Sequence, residues 1–273
     1  MKTHTRWIAV YTGVVLFLAV ITGFGLEQGN TSSSQAHNFL SGLESESITS
    51  TIYEPDEELV RMEDLDYLMR MDLGYPQING VLDSYEKTIR RYANRYGFDW
   101  RLILAVMNQE SRFRTQAVSH RGAFGLMQIM PATGREVSSE LGMDGYTLPE
   151  DNIAGGVYYL WRMQTLFDPG KVEDIDEEQR KFDRLRLALA AYNGGPSRVR
   201  DAQQIALFLN LDPYRWEIIR DILPMLSRRY ATLHSQIWPS GRPSGGYFEG
   251  FNETLNYVER TIEYYAYYRQ MYE

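Results

Sequence analysis

Cysteine is absent from all 273 residues. That excludes disulfides, a thiol nucleophile, thiolate-bound zinc and the cysteine to which bacteria attach a lipid anchor. Histidine is nearly as scarce. His4, His37, His120 and His234 are scattered without metal-ligand spacing, so no metal site and no cofactor are expected. Positive charge is in deficit, with 28 Lys and Arg against 36 Asp and Glu. A net charge of −8 argues against nucleic acid as a partner, because that role needs a basic face. Alternating apolar and polar runs are missing too, as are internal repeats, and the periodic segments that do occur have helical spacing. The expected fold class is therefore mainly α.

Long hydrophobic runs are missing but for one. Trp7–Leu26 is uncharged and apolar and comes after Lys2 and Arg6. Such a basic flank and apolar core mark residues 1–26 as a signal peptide or membrane anchor. The run has the roughly 20 residues that just span a bilayer, which leans the reading toward an uncleaved N-terminal apolar helix.

The chain then turns polar, and after that acidic. Between residues 44 and 66 there are nine acids and one base, Arg61. Residues 27–75 read as a flexible acidic linker, with a short helix near Glu57–Met71. Globular order is expected from about Tyr75–Asp83, which makes residues 76–273 the folded domain.

In that domain, Tyr85, Ile89, Tyr92, Ala93 and Tyr96 lie on one face of a helix closed by Gly97. The next helix opens at Asp99, a capping residue, and carries an apolar stripe through Leu102, Ala105 and Val106. Glu110 falls at its end. There the helix dipole and the apolar face both disfavour a charged carboxylate. A Glu so placed can hold a proton near neutral pH and donate it, as a general acid must. Its pKa is expected to rise from about 4.3 toward roughly 6. Ser111 comes directly after it and is expected to orient the carboxyl through its hydroxyl. Further helices are expected at Ala132–Leu141 with a Gly142 stop, from a cap at Asp151 or Asn152, and over Arg184–Tyr192, Asp201–Leu209 and Tyr214–Tyr230. Asp168–Asp183 reads as a polar insertion, and Pro239–Gly246 as a turn-rich loop.

Four short stretches occur in order: Glu110-Ser111, then Gly125-Leu126-Met127-Gln128 before Pro131, then Ala191-Tyr192-Asn193-Gly194-Gly195, then Glu253-Thr254 before Tyr257-Val258. With this order and spacing the chain resembles the lytic transglycosylases of the lysozyme superfamily, typified by soluble lytic transglycosylase and goose-type lysozyme. The resemblance covers roughly residues 83–265 and is greatest to the catalytic domain of membrane-bound forms.

The resemblance implies a lysozyme-like helical domain with a substrate groove. It implies cleavage of the β-1,4 bond between N-acetylmuramic acid and N-acetylglucosamine, with peptidoglycan glycan strands as partner. Glu110 would be the single general acid and base, oriented by Ser111 and hydrogen-bonded by Tyr257. Gly125, Leu126, Met127 and Gln128 would line one side of the sugar groove, and Tyr192 and Asn193 the other. Glu253 reads as a helix-start acid. The place of action would be the cell envelope, on the periplasmic side of the inner membrane. Two alternatives stay open, a hydrolytic muramidase of goose-lysozyme type and an inactive envelope-binding scaffold.

Overall fold

The computed structural model describes residues 75–170 and 176–272. The expected N-terminal apolar helix, the acidic linker and the short helix near Glu57–Met71 all lie outside the described residues. So does the middle of the polar insertion. Within the described residues there are nine α-helices and two short 3-10 turns. They contain no strand, only isolated bridges joining Val118, Phe124 and Ile129. None of these helices is long and apolar enough to cross a membrane.

The helices are α1 (Tyr75–Arg95), α2 (Trp100–Ser111), α3 (Pro131–Leu141), α4 (Pro149–Leu166), α5 (Glu177–Gly194), α6 (Pro196–Phe208), α7 (Trp216–Ile222), α8 (Ala231–Ile237) and α9 (Phe251–Met271). Three of them, α3, α4 and α6, start with proline in the first turn, where its missing N–H leaves no intrahelical bond unmade. For α4 this corrects the expected cap. Leu148 occupies the capping position, and neither Asp151 nor Asn152 does. Three other expected boundaries also move. Helix α5 begins seven residues before Arg184, capped by the Asp176 side chain, and α6 begins at Pro196 ahead of Asp201. The helix expected over Tyr214–Tyr230 breaks after Ile222 into 3-10 turns that contain Pro224.

Helix α2 is the centre of the packing. Every residue from Leu102 to Asn108 is buried, so the expected stripe extends round the whole helix. That is the pattern of a helix surrounded by others. Helix α9 lies along it in the opposite direction, which the contacts at the two ends show. At the start of α2, Asp99 caps the Arg101 amide, pairs with the Arg101 guanidinium at 2.7 Å and accepts from the Tyr265 hydroxyl at 3.1 Å. Arg101 also donates to the Tyr272 carbonyl, just past the end of α9. At the other end of α2, Glu110 meets Tyr257 near the beginning of α9. Helix α4 packs against α5 and α1 on the far side, completing the core.

Candidate active site

Helix α2 ends abruptly, and the manner of its ending places the site. Arg112 and Phe113 both take left-handed backbone conformations, with φ of 50° and 61°. Two such residues in succession without glycine are strained. The burial of the Phe113 ring against Tyr268 offsets that strain. The chain then doubles back through residues 114–130. Ser119 and Ala123 exchange hydrogen bonds, Gly125 donates to the Ala117 carbonyl, and Phe124 and Ile129 bond each other in both directions.

Ser111 is 1% exposed, and its hydroxyl is directed at the carbonyls of Met107 and Leu126, each at 3.0 Å. This corrects the expected role. The hydroxyl ties the helix end to the returning loop, and the carboxyl of Glu110 is held from elsewhere.

The returning loop is fixed by a residue that sequence reasoning took for a helix cap. Asn152 is fully buried in α4. Its Oδ1 accepts from the Met127 amide at 2.9 Å, and its Nδ2 donates to the carbonyls of Phe124 and Tyr146 at 2.9 and 3.1 Å. Glycine makes this approach possible. A side chain at Gly125 would meet Asn152 at 2.6 Å, and one at Gly156 would overlap the Met127 side chain. The available signal was an asparagine with paired glycines after it inside an apolar helix, which is costly unless the polar group has buried partners.

The four residues of the second stretch therefore play unequal parts. Leu126 and Met127 are fully buried and belong to the core, so their side chains do not line an open groove as expected. Gln128 stays partly exposed in a left-handed conformation. Its amide nitrogen donates to Ala117 and Gly125, which leaves its side-chain oxygen as an acceptor. Tyr192, from α5, donates to the Met127 carbonyl at 2.7 Å and packs on the ring of Tyr159, which is only partly buried. Asn193 is partly exposed and accepts from Thr254 of α9 at 2.7 Å. Gly194 permits that contact, since any side chain there would strike Thr254 at 2.8 Å.

At the junction of these elements sits Glu110. The Tyr257 hydroxyl donates to its Oε1 at 2.7 Å, and its Oε2 makes no hydrogen bond among the described residues. The residue keeps some exposed surface, yet protein atoms crowd the carboxyl. That desolvation raises its pKa from 4.5 to about 8, above the expected value near 6. The Tyr257 hydrogen bond opposes the rise, and the negative charge of Glu253 adds to it. Glu253 stands exposed in the first turn of α9, one turn ahead of Tyr257, as a helix-start acid should. Its reach to Glu110 was not foreseen. Burial and the nearby Glu110 also push the hydroxyls of Tyr192 and Tyr257 well above 10.0, so both remain proton donors. The arrangement is a carboxyl that is neutral at pH 7, with one oxygen held and the other open. Among the described residues no group of His, Cys, Asp and Glu side chains is disposed to hold a metal.

Residues 87–210 match the Transglycosylase SLT domain, and the chain carries that domain. It is homologous to two curated proteins named membrane-bound lytic murein transglycosylase F. With the one from Desulfosudis oleivorans it is 39% identical over 186 residues, which are 67% of this chain and 36% of the relative. With the one from Alkalilimnicola ehrlichii, named transglycosylase F 1, it is 32% identical over 237 residues, 85% of this chain and 42% of the relative. The chain thus spans less than half the length of these relatives. It is also similar to the crystal structure of the 70 kDa soluble lytic transglycosylase SLT70 from Escherichia coli. That likeness has 26% identity and a TM-score of 0.47, over 68% of this chain and 24% of the other. Helix α9, with Tyr257, lies beyond the matched residues 87–210.

Proposed function

We propose that this protein is a peptidoglycan lytic transglycosylase in which Glu110 is both acid and base. The observation that supports this best is the state of that carboxyl, protonated at neutral pH and fixed by Tyr257 through one oxygen. Tyr257 donates to Oε1, so the proton rides on Oε2, the oxygen free to meet a substrate. Transfer of this proton to the bridging oxygen breaks the bond from C1 of N-acetylmuramic acid and leaves a carbocation-like sugar. The carboxylate so formed is stabilised by the Tyr257 hydrogen bond. It then takes the proton of the muramoyl C6 hydroxyl, whose oxygen closes on C1 as a 1,6-anhydro ring. Glu110 ends the cycle protonated, as it began, and no water is consumed. Gln128, Tyr192 and Asn193 frame the sugars, the last two across the cleft from the first. Ser111, Gly125, Leu126 and Met127 serve by holding the wall in place.

Hydrolysis is the second reading, and Glu253 is the observation that favours it. A hydrolase needs another carboxylate to activate water, and Glu253 acts on Glu110 electrostatically. Digestion of purified peptidoglycan separates the two. Transglycosylation gives 1,6-anhydromuramoyl ends, lighter by one water than hydrolytic products, and mainly reducing muramic acid ends would establish the hydrolase. The domain assignment is also part of the proposal. Residues 76–273 act on the glycan, 1–26 export the chain or anchor it in the inner membrane, and 27–75 link the two on the periplasmic side.

A further inference from the structure

The loop after Glu110 differs in charge from the rest of the chain. From Ser111 to Gly122 it reads SRFRTQAVSHRG, with three arginines and no acid, in a protein of net charge −8. This loop and α1 flank an open cavity of about 660 Å³. Gly80, Ser84 and Tyr85 form one wall, and Phe113, Arg114 and Val118 are among those that form the other. Glu110, Gln128, Tyr192, Asn193 and Tyr257 do not line it. Phe113 nevertheless lies three residues beyond Glu110, a backbone distance of no more than about 11 Å. The cavity therefore adjoins the cleft without being part of it.

Its chemistry is mixed. The partly buried ring of Tyr85 gives apolar surface, and Val118 is 65% exposed on the other wall. The charged group is Arg114. Its Nε donates to the Ser111 carbonyl at 3.0 Å, which orients the guanidinium at the end of α2. Its two terminal amino groups make no ion pair or hydrogen bond among the described residues. A guanidinium held in this way presents two parallel donors, the geometry that grips a carboxylate. Gly80 is a further sign that the space is kept open. Glycine is disfavoured inside a helix relative to alanine, yet a Cβ added at Gly80 would meet nothing within 4 Å.

We propose that this cavity binds the carboxylate-bearing peptide stem of a peptidoglycan strand whose sugars lie in the adjoining cleft, with Arg114 gripping a stem carboxylate. The identity of the strand rests on the function proposed above. The sugars themselves are neutral apart from the lactyl group, through which the muramoyl unit carries its peptide, so an oriented arginine selects the stem over the glycan. A volume of this size lies within the range of pockets that enclose small ligands, about 300–1,000 Å³.

The test uses the full chain and a synthetic stem tetrapeptide with free carboxylates, compared with the same peptide fully amidated. Calorimetry should show the acidic form binding at least about tenfold more tightly, as expected for a charge-assisted pair. Arg114→Gln should erase that difference. Gly80→Phe, which fills the cavity, should abolish binding of both peptides while the far-UV circular dichroism stays unchanged. Equal affinity for the two peptides, or an Arg114→Gln variant that still prefers the acidic one, overturns the proposal. In parallel, wild-type turnover on strands bearing stems should exceed that on amidase-stripped strands, and Arg114→Gln should bring the ratio close to one. If the acidic peptide is preferred but no strand is cut, the peptide site stands and the proposed function falls. If strands are cut but the peptide is not bound, the site falls and the function stands.

Discussion

Replacing Glu110 by Gln should make the protein more stable, and increasingly so as pH rises. Folding moves this carboxyl from 4.5 to about 8, chiefly by burial. Below pH 4.5 the folded and unfolded chains both hold the proton, and the group adds no pH dependence. Between pH 4.5 and 8 the unfolded chain releases the proton while the folded chain keeps it. Stability then falls with rising pH, by at most about 1.4 kcal/mol per unit. Above pH 8 the loss is complete. Over this window a wholly enclosed carboxyl would lose about 5 kcal/mol. Glu110 keeps some surface, and solvent screening reduces the figure to about 2–3 kcal/mol. Gln has no proton to release and its amide oxygen can still accept from Tyr257, so the variant escapes the loss. Thermal melts of both proteins at pH 5 and pH 8.5 measure the effect directly. For a folded part of this size the variant's advantage should widen by about 5–10 °C. A gap that stays constant or narrows would mean that Glu110 is ionised and solvated in the folded protein, and its role as an acid would go with it.

Turnover of glycan should be level up to about pH 8 and fall tenfold per unit above it, because the reactive form carries the proton. A rate that climbs through pH 8 would reverse the assignment. Tyr257→Phe should lower kcat by roughly tenfold to a hundredfold, the worth of one hydrogen bond to a carboxylate, whereas Glu110→Gln should abolish cleavage. Equal loss in the two variants would show that the hydroxyl does more than hold and stabilise. Gly156→Ala should destabilise by about 1–3 kcal/mol through its clash with Met127, although helix propensity alone favours alanine by about 1 kcal/mol. A denaturant midpoint at or above that of the wild type would exclude the clash.

The residues that carry local rules were the legible ones. Asp99 caps its helix and Gly142 closes another, because each of these depends on a few neighbouring backbone groups. Glu110 was legible as an acid because its position at a helix end is local too. The depth of its burial was not, since that depends on α9 arriving from 147 residues away. A like distance hid the reach of Glu253, whereas the partners of Ser111 lie only 4 and 15 residues off and were hidden by the doubling back of the loop that follows α2. Asn152 was misread for a related reason. Its side chain resembles a cap in sequence, and only the returning loop shows that its partners are in the core. Leu126 and Met127 were assigned to the groove along with Gln128, but residues of a tight turn face opposite ways and two of the three point inward.

The Asn152 amide has a consequence for how such a cleft can be altered. It uses its oxygen on the returning loop, one hydrogen on that loop and the other on the chain leading into α4. With every bond taken, the near wall can neither shift register nor accept an inserted residue without leaving a buried polar atom stranded. The opposite wall is joined by separate hydroxyl bonds, from Tyr192 to the Met127 carbonyl and from Thr254 to Asn193. Diversity in what the cleft accepts should therefore arise at side chains that carry no such bond, while the wall beside Glu110 serves as a fixed template against which new specificities are tried.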